Sequence, residues 1–384
     1  MVKFKRGFQN LIKKIAEKKV KCSWVKRNLL LTILTLFFSG FLMLLTITVD
    51  GFAQWYSTSI YPFWVNTIGR LFGLAPFSVA EMLLYLIVVL FLGSIVFTTI
   101  KIISRKEKIL WFFRWLTSII MIMSFLMLSF ILNAGINYHR DSFAQISGLE
   151  VEEYSVEELL MVANWLTVRV NETGKLVPRN ERGEMVLTVD VASTSVEAMR
   201  SLGNDFPILY GYYPPPKPIQ NSWLLSIMQV SGIYIPFTIE GNYNRDMPSH
   251  NIPFTATHEL AHVRGFMQEE EANFIAFLAC IRSEKVEFQY SGYLLAWVYV
   301  RNALRRIDSD AATELNELLY EGVSKDLQAN RTFWAQFEGP VSDLQTRIND
   351  AYLRANAQPE GVRSYGMMVD LVIAYYFDFF QIKY

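Results

Sequence analysis

The sequence predicts three N-terminal transmembrane helices followed by a mostly helical α+β domain, and three observations support this prediction. Long apolar stretches that are poor in charge occupy much of the first 134 residues of this 384-residue chain. Up to Asn133 there are 16 Lys and Arg against 4 Asp and Glu, whereas the remainder has 20 against 32. From His139 onward, apolar residues recur at helical spacing. We therefore predict a membrane anchor in residues 1–134 and a globular domain in residues 135–384.

The chain begins with a basic segment. Residues 1–27 carry ten Lys or Arg against Glu17 alone. Apolar residues at helical spacing, from Leu11 to Val20, predict either an amphipathic helix on an anionic membrane surface or a solvated basic tail. Such a segment can also indicate nucleic-acid binding, but beside apolar spans it is explained by membrane topology. We therefore predict the lipid bilayer as a partner and no nucleic acid.

Three apolar stretches predict the spans. Leu29–Val49 is free of charge over 21 residues, which at about 1.5 Å per residue crosses a hydrocarbon core of about 30 Å. Met82–Ile100 and Trp115–Leu132 predict the second and third spans. Aromatic side chains near the outer ends of the first two spans predict an interfacial belt: Phe52, Trp55, Tyr56, Tyr61, Phe63 and Trp64.

The basic residues also predict the orientation of these spans. Residues 101–108, between the second and third spans, hold four Lys or Arg, whereas the loop between the first two spans holds only Arg70. By the positive-inside rule the N-terminus and residues 101–108 are cytoplasmic, while Arg140 and Tyr384 lie outside. The expected location is a multi-pass position in a cytoplasmic membrane.

Local signals divide the first half of the globular domain. Ser155, with Glu158 three residues later, is a capping-box pattern that begins a helix. Met185–Val191 alternates as a strand does, and Ser193–Leu202 has the spacing of a short helix. The apolar alternation from Ile233 to Ile239 predicts an edge strand, because Pro236 cannot donate to a ladder. The polar loop that follows argues against a site within a bilayer.

The chain is organised around Thr257–Cys280, which has the sequence THELAHVRGFMQEEEANFIAFLAC. His258, Glu259 and His262 form an HExxH motif, and residues four apart share one face of a helix, so both imidazoles converge on one metal ion. We predict Zn²⁺, because zinc accepts nitrogen and carboxylate oxygen in tetrahedral geometry and leaves one position for water. Glu259 then accepts a proton from that water, whose pKa zinc lowers.

The surroundings of the motif favour a metal site over a structural helix. The five-residue pattern alone arises by chance in about one sequence in a hundred. The chain contains only four His, however, and two of them lie in the motif. Gly265 is suited to end the first helix with a positive φ. A second helix that starts within Gln268–Glu271 then brings an acid back toward the two His.

The segments HELAH and EEEANFIAF resemble the gluzincin pattern of the zincin metallopeptidases. The resemblance implies a zincin-like fold, with two His on one helix joined by a Glu from the next and an Asp or Asn four residues later that supports a ligand His. These positions map onto Glu269 and Asn273. The connection is short, since six residues separate His262 from Glu269. Three N-terminal spans with HELAH and EANF also resemble an uncharacterised family of bacterial membrane proteins, which implies a bacterial cytoplasmic membrane.

Three adjacent acids compete for the third ligand position, and on a helix each points about 100° from the next. We predict Glu269, because it is the first acid after the Gly265 turn and Asn273 shares its face, where it supports a ligand His. Glu271 is the alternative, although it shares a face with Phe274 and Ile275 that is typical of packing.

The C-terminal part is predicted to be helical over Tyr290–Arg306, Ala311–Asn330, Val341–Ala355 and Met367–Phe380. Tyr365 or Tyr352, near the third of these helices, is a candidate donor to the oxyanion of a hydrolytic reaction. Each is also explained as a half-buried aromatic residue with a satisfied hydroxyl. Cys22 and Cys280 provide no disulfide framework, and Cys280 is expected to be a small core residue.

These features predict a membrane-anchored zinc metallopeptidase that hydrolyses a peptide or protein substrate outside the membrane, with Glu259 as general base. The alternative from another class is a non-catalytic membrane scaffold or sensor in which the zincin-like domain is structural. A zinc hydrolase that acts on a non-peptide bond is a third interpretation. The sequence contains no signal for the identity of the substrate.

Overall fold

A computed structural model of the protein describes residues 2–104 and 108–380, with side chains from residue 23 onward. Backbone helix covers residues 2–22, but the side chains of the predicted amphipathic face lie outside the described part. Lys106 and Tyr384, which the topology prediction uses, also lie outside the described residues. The described chain is mostly helical and contains one small sheet.

The helices of the first third are, in chain order, α1 (Val2–Thr48), α2 (Phe52–Trp55), α3 (Tyr61–Trp64), α4 (Arg70–Gly73), α5 (Val79–Ser104) and α6 (Lys108–Phe130). The π-helical segment Tyr56–Ile60 joins α2 to α3, and a second one, Val65–Gly69, joins α3 to α4. After α6 come a third π-helical segment, Ile131–Gly135, and the 3-10 turn Ile136–His139.

The remaining helices are α7 (Phe143–Ser147), α8 (Val156–Gly174), α9 (Val191–Asp205), α10 (Ser222–Ile227), α11 (Ile252–Val263), α12 (Glu269–Ile281), α13 (Val286–Ile307), α14 (Ser309–Glu317), α15 (Glu321–Ala335), α16 (Pro340–Ala355) and α17 (Met368–Phe379). Three 3-10 turns cover Pro207–Leu209, Ser249–Asn251 and Gly361–Met367. The strands are β1 (Lys217–Ile219), β2 (Gly232–Ile235) and β3 (Glu240–Asn244).

Three helices are long and apolar enough to cross a membrane, as the sequence predicts: Ser23–Thr48, Val79–Ser104 and Lys108–His139. The first compact unit contains residues up to 49 and residues 82–132. Within it, Asn28 Nδ2 of α1 donates to Ser118 Oγ of α6 at 3.0 Å, and Trp115 Nε1 of α6 donates to Ser94 Oγ of α5 at 3.0 Å. In lipid, burial of apolar side chains provides no driving force for helix association, so hydrogen bonds of this kind add to the packing between the helices.

The second unit is discontinuous in sequence, since it consists of residues 50–81 together with residues from 133 onward. The boundary predicted at residue 134 placed residues 50–81 in the membrane anchor, whereas their contacts place them in the second unit. The segment between the first two spans is helical, and Tyr61 and Val65 are buried in the second unit. Tyr56 and Tyr61 therefore belong to a protein core and not to the predicted aromatic belt, whereas Trp55 and Phe63 of the same set are exposed.

The sheet packs against α11, which is buried along its whole length. Its strand order is β1-β3-β2, with β1 parallel and β2 antiparallel to β3. The predicted edge strand is present as β2 but ends at Ile235. Residues after it form a turn in which Ile239 has a φ of 53°, and β3 extends from Glu240 into the segment Gly241–Pro253 that was predicted as a loop.

Two other predictions are corrected by contacts that are remote in sequence. Met185–Val191 forms a single bridge to Arg179 and no strand, because the Met185 amide donates to Asp326. The helix predicted over Ala311–Asn330 is interrupted between α14 and α15. At the interruption the side chain of Asn171 donates to Leu318 O and accepts from the Tyr320 amide. The capping box of Ser155 and Glu158 at the start of α8 is confirmed.

The buried carboxylate of Asp326 on α15 binds groups from α13 and from the region before α9. Its carboxylate accepts from Arg179 Nη1 at 2.9 Å, from Tyr290 Oη at 2.5 Å and from the Met185 amide at 2.7 Å. The Asp326 side chain is 1% exposed and that of Arg179 is 14% exposed. A buried carboxylate with three donors of this kind is strongly coupled to its partners.

We predict that Asp326→Asn destabilises the second unit by about 3 kcal/mol or more, because it leaves the Arg179 charge buried without its counter-ion. Thermal unfolding of the detergent-solubilised chain measures this effect. Glu172→Gln is the matched control, since it removes an exposed partner of Arg169 and should change stability by at most about 1 kcal/mol. Equal stability of the two variants would contradict the prediction.

Candidate metal centre

The turn between α11 and α12 brings the predicted site residues together. Gly265 has a φ of 83° and ends the first helix, as the sequence predicts. The next helix begins at Glu269, with three acids in its first turn that complement the positive end of the helix dipole. Arg140 Nη1 donates to Arg264 O at 3.0 Å, and Gln268 Nε2 donates to Tyr138 O at 3.0 Å. The segment after the third span therefore holds this turn in place.

Three candidate ligand atoms converge. His258 Nε2 and His262 Nε2 are 3.1 Å apart, and Glu269 Oε2 lies 3.2 Å from the first nitrogen and 3.6 Å from the second. Zinc bonds of about 2.0–2.1 Å in a tetrahedron separate two ligand atoms by about 3.3 Å. The donor set and its spacing therefore fit a tetrahedral zinc ion with three protein ligands.

The far nitrogens of the two imidazoles have different surroundings. His262 Nδ1 lies 2.8 Å from the carbonyl of Phe266. A proton on Nδ1 would be donated to this carbonyl and would leave the Nε2 lone pair free for a metal. His258 Nδ1 is buried without a hydrogen bond of good geometry. Burial lowers the pKa of His258, and the Asn273 side chain opposes part of this shift, so it acts on this ring.

The three acids of α12 point to different partners. Glu269 faces the two imidazoles, and the Glu271 carboxylate instead accepts from the Phe143 amide at 2.6 Å, at the start of α7. Glu270 accepts from Gln358 at 3.0 Å. The structure thus brings Glu269 to the His pair and directs Glu271 to a helix cap, where burial raises the pKa of Glu271 to about 7.

Burial and mutual contacts together determine the pKa values of the three converging groups. Burial alone raises the pKa of Glu269, but the adjacent imidazoles of His258 and His262 hold that pKa at about 2. Burial lowers the pKa of His262, and its contacts with Glu269 outweigh this effect and raise the pKa to about 9. In the absence of a metal, protonated His262 therefore balances the charge of Glu269, and a divalent cation that bound here would displace that proton.

Glu259 lies between α11 and the sheet, where two glycines leave room for it. A Cβ atom on Gly232 of β2 would lie 2.3 Å from Glu259 Oε1, and one on Gly241 of β3 would lie 2.9 Å from Glu259 Cβ. Glu259 Oε2 is buried without a hydrogen-bond partner in the described structure. Burial raises the pKa of Glu259 to about 8, so this carboxyl is mostly protonated at neutral pH when no cation is bound, and a cation at the three converging atoms would lower its pKa and favour the carboxylate.

Tyrosine side chains surround the cluster, including both residues proposed from the sequence. Burial, and then the Glu269 charge, raise the pKa of Tyr365 well above its usual value. Tyr365 Oη accepts from Asn349 at 3.4 Å, and Tyr365 O accepts from Asn273 at 3.1 Å. Tyr352 Oη accepts from Tyr138 at 3.1 Å. Tyr365 is thus a neutral hydroxyl close to Glu269, which fits the oxyanion role suggested for it.

Sequence reasoning missed two tyrosines that lie beside α11. The Tyr234 ring is 6.2 Å from that of His262, and Tyr234 Oη lies 2.9 Å from Tyr61 Oη. Tyr61 Oη also donates to Val263 O at 3.1 Å. The position of Tyr234 on the edge strand predicted before the motif was the only sequence feature that indicated its place near the site. No sequence feature indicated this for Tyr61, which lies before the second span.

We predict that Glu269→Ala weakens zinc binding far more than Glu271→Ala, because only Glu269 faces both imidazoles. Asn273→Ala should weaken binding by about 10- to 100-fold, as the loss of a residue that orients a ligand does. Zinc titration against a competing chelator measures these differences. Weaker binding by Glu271→Ala than by Glu269→Ala would assign the third ligand to Glu271 and leave Asn273 without its role.

Comparisons with known proteins place the chain in one family. The family model described as "Protein of unknown function (DUF3810)" matches residues 56–373. The match begins within the segment between the first two spans and extends into α17, so it includes the candidate metal centre. The search of the curated proteins and the search of the solved structures returned no match. The chain therefore belongs to the family of proteins of unknown function DUF3810.

Proposed function

We propose that this protein is a membrane-anchored zinc metallopeptidase. The single observation that carries the proposal is the convergence of His258 Nε2, His262 Nε2 and Glu269 Oε2, with the Glu259 carboxylate on the same helix. The spacing fits tetrahedral zinc, and the role of general base falls on the buried carboxyl of Glu259, whose pKa of about 8 a bound cation would lower.

The number of ligands separates the two main candidate functions. Structural zinc sites have four protein ligands, whereas catalytic sites have three and keep one position open. In the described part of the chain the cluster contains three such groups. This favours catalysis over the alternative of a non-catalytic scaffold or sensor. The low exposure of the cluster favours the scaffold, since the most exposed of its members, His258, is only 8% exposed.

The residues of the site suggest a division of roles in hydrolysis. Bound zinc would supply a Lewis acid that polarises a carbonyl and lowers the pKa of water. Glu259 accepts a proton from the attacking water and passes it to the leaving nitrogen. Tyr365, which remains a neutral hydroxyl at ordinary pH, donates to the developing oxyanion. Peptide bonds are the proposed substrate, and a peptide or protein is the proposed partner.

The second unit is proposed to lie outside the bacterial cytoplasmic membrane. Residues 50–81 precede α5 and residues after 132 follow α6, yet both segments pack into one unit. Because they lie on the same side, the chain crosses the membrane an even number of times between them. This supports α5 and α6 as two crossings. The positive-inside rule then favours a cytoplasmic N-terminus.

We predict that Glu259→Gln retains zinc but lowers turnover by about 100- to 10,000-fold, because it removes the base and leaves the ligands. Peptide-library cleavage by the detergent-solubilised full chain, with zinc content measured in parallel, provides the readout. His258→Ala should lose both zinc and turnover.

Glu270→Gln is the matched control for this experiment. It makes the same chemical change on the adjacent helix, at a carboxylate that binds Gln358 and faces neither imidazole. Its turnover should stay near that of the wild type. Near wild-type hydrolysis by Glu259→Gln would refute the mechanism, and zinc binding without any cleavage by the wild type would favour the scaffold.

We predict that Arg140 and Tyr384 lie outside the membrane, so cysteines placed at Tyr384 and at Asp141, the exposed neighbour of the buried Arg140, react with a membrane-impermeant maleimide in intact cells, whereas cysteines at Lys13 and Lys106 react only after permeabilisation. The asymmetry of the basic residues around the spans is the physical reason. Replacement of Cys22 and Cys280 by Ser provides the unreactive background. Reaction at Tyr384 only after permeabilisation would reverse the orientation.

A further inference from the structure

Two adjoining cavities form a groove in the second unit, apart from the candidate metal centre. Their volumes are about 360 Å³ and about 1270 Å³, and Asn66, Tyr210 and Gly211 line both of them. Arginines are the principal charged residues of the lining. Arg140 and Arg264 lie in the smaller cavity, and Arg70 and Arg200 lie in the larger one. We call this surface the arginine groove.

The inner end of the arginine groove holds two guanidinium groups without a counter-ion. Arg140 is 9% exposed, donates to Arg264 O and lies 3.8 Å from the centre of the Phe266 ring. The Nε atoms of Arg140 and Arg264 are both buried without a hydrogen-bond partner. Neither residue forms an ion pair within the described residues. Arg140 is buried and Arg264 is partly buried, and cations in such positions are costly without a paired anion, so a ligand anion would relieve this arrangement.

Neighbouring acids do not neutralise this end. The charges of Glu271 and Asp141 act on Arg140. The Glu271 carboxylate, however, already accepts from the Phe143 amide. No carboxylate lines the smaller cavity.

The outer end adds a second pair of cations on exposed positions. The Arg70 guanidinium lies 4.3 Å from the centre of the Tyr212 ring and donates weakly to Asn66 at 3.4 Å. Arg200 lies on α9 across the larger cavity, and Glu197 is the single acid in that lining. Neither Arg70 nor Arg200 belongs to an ion pair in the described part of the chain. The two ends together therefore offer two separate places for negative charge.

Backbone geometry keeps the inner guanidinium accessible to the cavity. A Cβ atom on Gly211 would lie 2.6 Å from Arg264 Nη1. A side chain at this position would displace the Arg264 guanidinium. The glycine thus leaves the arginine in contact with the cavity.

We propose that the arginine groove binds a ligand that carries two phosphate groups, one at Arg140 and Arg264 and the other at Arg70 and Arg200. The planar guanidinium fork matches phosphate oxygens and forms paired hydrogen bonds with them. Two sources carry this chemistry. Residues 50–81 connect two apolar spans and therefore lie near a membrane surface, where lipid headgroups are available, and a soluble diphosphate has the same groups.

The test uses the full chain in a neutral detergent with two probes. Inorganic pyrophosphate is titrated by calorimetry, and retention of diphosphatidylglycerol, a lipid with two phosphates, is compared with that of phosphatidylcholine by native mass spectrometry. The variants are Arg264→Gln at the inner end and Arg70→Gln and Arg200→Gln at the outer end. Arg347→Gln is the matched control, since it removes an exposed arginine that lies outside the groove.

At least one probe should bind the wild type and the Arg347→Gln control equally, and added salt should weaken that binding. Arg264→Gln should weaken it by about tenfold or more, as the loss of a charged hydrogen bond does. Arg70→Gln and Arg200→Gln change exposed residues and preserve the core. Each should weaken retention of the lipid, so the proposal can be tested even if Arg264→Gln unfolds the protein. The probe that binds identifies the source. Binding of neither probe, or equal binding by all the arginine variants, would overturn the proposal.

Discussion

A fully buried helix with three ionisable side chains is the constraint on which the second unit depends. Every residue of α11 is buried, including His258, Glu259 and His262. Burial of each such group costs several kcal/mol unless partners compensate for the lost hydration. For the two His the compensation comes from Glu269 on α12 and from the Phe266 carbonyl, so the turn between the two helices must keep one geometry. The contacts of residues 133–140 and of Tyr61 with this turn supply that rigidity.

How far the sequence predicted this arrangement depends on the range of each contact. The helix pair, the positive φ of Gly265 and the orientation of Glu269 all follow from spacing within about a dozen residues, and they were predicted. The partner of Tyr61 at Val263 is 202 residues away, so no local pattern indicated it. The strand expected at Met185 failed for the same reason, because Asp326, 141 residues later, accepts its amide. Alternation indicates only that a segment is half-buried, and remote partners decide what it becomes.

The surroundings of Glu259 suggest how a small sheet contributes to a mostly helical site. Gly232 and Gly241 are the points where β2 and β3 approach α11, and a side chain at either would collide with Glu259. The sheet therefore presents bare backbone to this carboxylate. The Oε2 atom of Glu259 is buried, and the elevated pKa of Glu259 follows from that burial. The absence of side chains at Gly232 and Gly241 thus permits the burial that raises the pKa of Glu259 on α11.

The discontinuity of the second unit has a consequence for the order in which the protein is made. Tyr61 and its neighbours leave the ribosome before α5 and α6, whereas the helix that they support is synthesised long after both. This segment therefore lacks its native partner while α5 and α6 are synthesised. Contacts of such long range form slowly. The candidate site can accordingly fold only after α5 and α6 have been made, and a chain that began after α6 would lack Tyr61, which donates to Val263 O of α11.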